Sequence, residues 1–312
     1  MTVIVDRHFS PGHTEEKWAE SLGENLAHSI GRLEQYPHSL GRIFGKALLH
    51  LEARCTVDPR AAKSETWEAA VNTLQLGSAI FATAGADHGT AECRIDRQVR
   101  TLPATGADEG FAELGTWLTT FWLAVVCRDQ DRLTELSRFP LDRIDSGGYD
   151  AFVRHWVDTL QTYWLQGPGL AEKLTRAVET SAPDVAGQTP HGLLQAVLAP
   201  PIHLFCLFIT QDSAGFNEAL AKALELHKAY WTADEDRAED PAGHIALVLL
   251  ALACLAHDGG MPIEVESGYL PHHLLTRGWA GELPALSGRG PRTGGPRAEW
   301  RVAHRNPYRG GR

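Results

Sequence analysis

The sequence predicts an all-α protein, an irregular antiparallel array of stacked helix pairs interrupted by one small β-hairpin. Three observations lead there. Apolar residues recur three and four positions apart through most of the 312 residues, the spacing that lines one face of a helix. Proline and glycine pairs cut that rhythm into segments, so successive helices turn back on one another. Between Thr90 and Leu102 the rhythm gives way to a short β pattern. No tetratricopeptide or ankyrin consensus repeats along the chain, which makes the array irregular.

The elements follow in order. Trp18, Leu22, Leu26, Ile30 and Leu33 form one stripe, ended by Tyr36-Pro37. Ser39 reads as the N-cap of a helix whose stripe is Leu40, Ile43, Phe44, Ala47, Leu48 and Leu51. A third helix runs from Ser64 to Ala84 with Trp67, Val71, Leu74 and Phe81 inward. Cys93, Ile95, Val99 and Leu102 flank a polar Asp96-Arg97 turn, a hairpin that must lean on neighbouring helices and whose edge is a possible contact surface. From Asp108 the residues Phe111, Leu114, Trp117, Leu118, Phe121, Trp122 and Val125 make a broad aromatic face. Asp129 caps a shorter helix that Pro140 ends, and a stripe from Phe152 to Trp164 follows, broken by Gly167-Pro168-Gly169.

Further helices are expected at 170–181, 191–198 and 202–211, the last two split by Pro200-Pro201. Ser213 reads as the cap of the helix carrying Phe216, Leu220, Leu224, His227 and Trp231. A polar stretch from Thr232 to Asp240 leads to Pro241 as a first-turn proline, and an apolar helix from Ala242 to Ala256 closes at Gly259-Gly260. Residues 1–284 thus form one helical domain, with the hairpin at about 90–102. Residues 285–312, with six glycines and three prolines, form a basic tail expected to be disordered.

Charge narrows the partners. The chain carries −10, and the tail holds seven arginines against one glutamate, so residues 1–284 carry −16 once the tail's +6 is removed. Such a body repels nucleic acid and anionic membrane and attracts basic proteins at long range. Ile245 to Leu255 is too short to span a bilayer and reads as a buried helix, and residues 1–13 lack the apolar core of a signal peptide; no membrane span and a cytoplasmic location are expected. The five cysteines are widely spaced without a Cys-x-x-Cys pair, and read as small reduced hydrophobes.

A reactive centre is not legible. His272-His273 are adjacent and diverge on a helix, and His155 with Asp158 supplies too few ligands for a structural metal. His227 falls on an apolar stripe and reads as a core histidine with one hydrogen-bond partner. Glu264 and Glu266 read as surface carboxylates on an extended segment, and neither a nucleophile elbow nor a phosphate loop is present. No catalytic residue, metal or cofactor is therefore expected. One cluster suggests recognition: Tyr230 and Trp231 precede Asp234, Glu235, Asp236, Glu239 and Asp240. Aromatic anchors beside dense acidic charge suit a basic protein surface, since aromatics supply buried contacts and charges steer encounter. The same residues also read as a solvated loop beside core aromatics.

Several stretches resemble the immunity protein 49 family of actinobacteria. They are Ala53-Arg-Cys-Thr-Val-Asp-Pro59, Glu92-Cys-Arg-Ile95, Val99-Arg-Thr-Leu-Pro-Ala-Thr105, Trp117 through Gln130, His155 through Trp164, Glu225 through Arg237, and Pro262-Ile-Glu-Val-Glu-Ser267, in order across residues 15–283. The resemblance implies a largely helical immunity protein of a polymorphic toxin system, which binds and neutralises a cognate bacterial toxin in the cytosol. It carries over no catalytic residues, and the tail lies outside it. The alternative on the residues alone is a helical scaffold or regulatory adaptor, and a cryptic enzyme built on His155 and Asp158 is the third reading.

Overall fold

The computed structural model describes residues 2–106 and 111–278, so the basic tail expected at 285–312 lies outside the described residues. The protein is mainly helical with two small two-stranded sheets. Helices α1 (His13–Gly31), α2 (Leu40–Val57) and α3 (Ser64–Gly85) pack in sequence, and α4 (Leu114–Cys127) lies against α3. Next come α5 (Gln130–Ser137), α6 (Ala151–Trp164) and α7 (Leu170–Thr180). After these, α8 (His191–Leu193) widens into a π-turn at Leu194–Leu198 and leads into α9 (Pro200–Ile209). Helix α10 (Ser213–Trp231), the short α11 (Glu235–Glu239), α12 (Leu247–Asp258) and α13 (His272–Thr276) complete the array.

Strands β2 (Thr90–Ile95) and β3 (Gln98–Pro103) form the expected antiparallel hairpin on α3. Asp96 and Arg97 both adopt positive φ, 50° and 62°, the conformation a two-residue turn needs to match strand twist. Side chains from the turn after α1 and from α5 occupy its two edges. Thr101 N donates to Glu34 Oε1 at 3.0 Å on one edge, and Arg132 Nη2 donates to Arg94 O at 3.2 Å on the other. The second sheet was not legible beforehand: β1 (Val3–Val5) pairs in parallel with β4 (Val265–Ser267), Val3 opposite Val265. Three-residue strands are too short to show a period, and their partners lie at opposite ends of the sequence.

The core is a continuous hydrophobic cluster from Val5 to Leu275. Its centre is an aromatic chain. Trp117 stacks on Phe121 at 5.0 Å, Phe121 meets Trp122 edge-on, and Trp122 touches Trp156 of α6. Trp156 and Tyr163 then meet Phe205 of α9 edge-on at 5.2 and 5.1 Å. Offset and edge-on rings are the favoured aromatic geometries, each worth about 0.5–1.5 kcal/mol beyond area burial.

Arg128 locks this core to the end of the chain. It ends α4 in the left-handed region at φ 54°, which turns its side chain inward. The buried guanidinium donates through Nε to Asp258 Oδ2 of α12 (2.9 Å), through Nη1 to Val126 O and Leu274 O (both 2.7 Å), and through Nη2 to Leu275 O (2.7 Å). A buried cation is tolerated when its donors are saturated in this way.

Several boundaries depart from expectation. Trp18 is 39% exposed instead of inward, because α1 buries a narrow strip of Ala19, Leu26 and Ile30. The helix expected from Asp108 starts at Leu114, and Phe111 lies ahead of it, 40% exposed. Asp212, not Ser213, caps α10 by accepting from Gly215 N. Ser39 occupies the N-cap position of α2 as expected, but its hydroxyl donates to Tyr36 O of the preceding 3-10 turn and makes no capping bond to the helix. Pro200-Pro201 open α9 where a missing N–H costs nothing, and the helical path from His191 to Ile209 continues through them. Pro241 starts a 3-10 turn (Pro241–His244), and α12 begins at Leu247 because Ile245 is extended. Among the described residues, His191–Ile209 and Pro241–Asp258, the second interrupted at Ile245, are long and apolar enough by composition to cross a membrane; 33% of the first and 67% of the second is buried in the fold.

Arg128→Ala should therefore destabilise the protein by about 3–5 kcal/mol, since Asp258 loses its buried cation, Leu275 O its donor, and Leu274 O all but the weak Cys254 thiol. Arg128→Lys should recover a fraction of that loss, because an ammonium cannot reproduce the fork. Urea denaturation measures both, and a loss under about 1 kcal/mol for the alanine variant would contradict the role given to Arg128.

Candidate functional site

Residues 230–240 turn from the end of α10 into α11, which brings the seven residues of the acidic–aromatic cluster together on one turn of chain. The turn folds because its own carboxylates cap it. Asp234 accepts from Arg237 N at 2.9 Å and pairs with Arg237 Nε at 3.1 Å; Asp240 accepts from Ala242 N at 3.0 Å and starts the next 3-10 turn. Thr232 to Asp240 was expected as an irregular stretch, and these two caps make part of it helical.

The cluster divides by role. Asp234 and Asp240 are structural, whereas Glu235, Asp236 and Glu239 are exposed and make no ion pair among the described residues. Tyr230 is half-buried under Arg237, whose guanidinium lies 4.5 Å from the ring centre. Trp231 is half-buried and meets Tyr230 edge-on at 5.4 Å; its ring packs so closely on Gly243 that a Cβ there would lie 2.7 Å from it. Trp231 Nε1 has no hydrogen-bond partner among the described residues. Three exposed carboxylates without an ion pair among the described residues thus lie on the same turn of chain as two half-buried aromatic rings.

Packed against this turn is a group of which sequence reasoning found only His227. The segment Asp6–Phe9 crosses the C-terminus of α2, where Arg7 donates to Cys55 O (2.9 Å) and Thr56 O (3.0 Å), and Lys228 of α10 donates to Asp6 O. His8 Nδ1 lies 2.7 Å from Tyr269 Oη and its Nε2 lies 3.2 Å from Ala238 O of α11. His244 Nδ1 lies 2.9 Å from Thr56 Oγ1, its Nε2 lies 3.4 Å from the same Ala238 O, and Phe9 stacks on its ring at 4.3 Å. His227 bonds to Gly243 O at 3.0 Å through Nε2, as expected of a core histidine. These residues come from five separate stretches, and no local spacing marks them. Burial holds His227 and His244 down at about 4, and lowers His8. Burial also pushes the Glu52 carboxyl up to about 8, with Asp240 adding to the effect.

Every imidazole of this group pairs with a neighbouring side chain or backbone carbonyl, a pattern that supports structure more than reaction. The other candidates are not assembled either. Asp158 bonds Lys173 Nζ at 2.7 Å and not His155, and His272 meets His273 edge-on at 5.4 Å. Glu264 gives its backbone to Val3 N and to Asn217 Oδ1 at the sheet margin. No group of three or more metal-ligating side chains converges among the described residues. The five cysteines are unpaired, and burial pushes Cys93 and Cys254 up to about 11 and Cys127 up to about 12, which disfavours the nucleophilic thiolate.

The two acidic roles are separable. Asp234→Ala should cost about 1 kcal/mol by removing the α11 cap, whereas Asp236→Ala should stay within about 0.5 kcal/mol of wild type. Equal losses in denaturant titrations would refute the division.

The architecture is that of a helical protein with an acidic, internally braced surface turn. The sequence profile described as Immunity protein 49 matches residues 58–274, over two-thirds of the chain, and the protein belongs to that family. The match is narrower than the 15–283 of the sequence resemblance and begins at the α2–α3 junction. None of the curated proteins and none of the solved structures compared with the chain matches it.

Proposed function

We propose that this immunity protein acts by direct, non-enzymatic contact, binding a basic toxin in the cytosol and blocking it. The observation that carries the reading is the set of exposed carboxylates of Glu235, Asp236 and Glu239 on the same turn as the half-buried Tyr230 and Trp231, within a body of net −16. The family supplies the toxin as partner, and the charge supplies its basicity. Half-buried aromatics can be covered by a partner at small entropic cost, while the rim charges accelerate encounter. An interface of standard size would bury about 1,600 Å² in total.

Titration of the full chain against the toxin encoded beside it should give a complex at or below micromolar concentration, and no complex there would refute the reading. The variant Glu235→Lys/Asp236→Lys/Glu239→Lys should slow association about tenfold or more at low salt, an effect that shrinks as salt rises. Unchanged association would move the interface elsewhere on the molecule.

A further inference from the structure

We propose that the toxin adds a strand to this protein: a basic, extended segment pairs with the open edge of β1 and makes a three-stranded sheet beside the acidic turn. That the partner is the toxin rests on the proposed function; the open edge and its charge do not. The ladder shows which groups are spare. β1 and β4 run parallel, with Val3 opposite Val265, Ile4 opposite Glu266 and Val5 opposite Ser267. Val3 N donates to Glu264 O at 2.8 Å, so the N–H and C=O of Val3 and Val5 face β4, and those of Ile4 point away from it. No hydrogen bond from outside the sheet reaches Ile4 among the described residues. Just beyond, Lys228 Nζ takes Asp6 O at 2.9 Å, so the free stretch is centred on Ile4. The opposite edge of the sheet runs along Val265, which is buried.

Side chains set the chemistry of the occupant. Successive residues of a strand alternate between faces, and Val5 and Val265 lie on the buried one. The solvent face carries Ile4, 69% exposed, flanked on β4 by the exposed Glu264 and Glu266. His272 of α13 stands near Glu266 and is uncharged at neutral pH, its ring held below its ordinary value by burial and by Arg60. Soluble proteins normally blunt an unpaired edge with lysine, proline or a bulge, yet this one presents an apolar side chain. Lysine and arginine fit that face, because their apolar stems can cover Ile4 while their charged heads reach the two carboxylates one strand further in. A second copy of this chain would instead bring another acidic body against the first.

The edge also adjoins the acidic turn. Four residues after Ile4, His8 Nε2 lies 3.2 Å from Ala238 O of α11. Four residues of extended chain span at most about 14 Å, so one partner can cover both surfaces. Main-chain bonds to Ile4 would then supply binding that is indifferent to sequence, and the carboxylates would select basic side chains at alternate positions.

Amide exchange of the isotope-labelled full chain, followed by NMR at neutral pH and low salt, tests this with a short capped peptide of alternating valine and lysine as the probe. The Ile4 amide should exchange freely in the chain alone and slow about tenfold when nine-tenths of the chains hold peptide. The variant Glu264→Gln/Glu266→Gln should bind the peptide about threefold or more weakly, a difference that fades as salt rises. The same peptide with N-methylated amides keeps its charge but has no ladder donors, and should leave Ile4 exchange unchanged. Equal slowing by the N-methylated peptide, or an unaltered Ile4 amide at millimolar valine–lysine peptide, overturns the proposal. Protection of Ile4 in the chain alone also overturns it, assigning the edge to a second copy if it grows with protein concentration and to the chain's own C-terminal arginines if it does not. No toxin enters this experiment. A toxin that fails to bind refutes the proposed function, whereas an Ile4 edge that takes no strand refutes only the strand addition.

Discussion

The fold depends on one buried guanidinium. Arg128 stands where α4 ends, and its donors reach backward to Val126, across to Asp258 and onward to the last turn of α13. Without it, the buried Leu275 carbonyl of a five-residue helix would lose its partner and Leu274 O would keep only the weak Cys254 thiol, a cost comparable to a large share of a domain's net stability. With it, α4 and its aromatic chain become the axis to which the C-terminal elements attach. The left-handed backbone at Arg128 is the local strain that this arrangement carries.

The second constraint is the way the acidic turn is built. Surface charge of one sign repels itself, and a turn with five carboxylates in seven residues folds only if some are neutralised. Asp234 and Asp240 are spent on backbone N–H groups, and Asp234 also on Arg237. The remaining three are left for solvent or a partner. Support comes from below, where neutral imidazoles bond to Ala238 O and Gly243 O. A surface with that support is pre-shaped, which lowers the ordering cost of binding.

What could be read in advance follows the range of the interactions involved. Helices α2 and α3 were legible because a 3.6-residue period and flanking turn residues are local signals. The hairpin was legible from its alternation and the Asp96-Arg97 turn. Trp18 misled because an apolar side chain at the right spacing does not reveal how wide the buried face of α1 is. Pro200 marked the boundary between two helical segments correctly but not the start of α9, because a proline can end one helix or occupy the first turn of the next. The acidic cluster was visible as composition, but not which carboxylates were already engaged.

The sequence by itself determined the helical class, most helix positions, the hairpin, the acidic character of the body and the family. Each is carried by residues within a few positions of one another or by summed charge. The tertiary structure decided the Arg128 fork, the parallel pairing of β1 with β4, and the histidines beneath α11. The contacts that tie them to the rest of the fold join residues far apart in sequence: Arg128 with Asp258 across 130 positions, His8 with Tyr269 across 261, and Val3 with Val265 at opposite ends of the described fold. Their formation depends on burial and on which donors remain unpaired once the helices have packed, and neither quantity exists until the chain has folded.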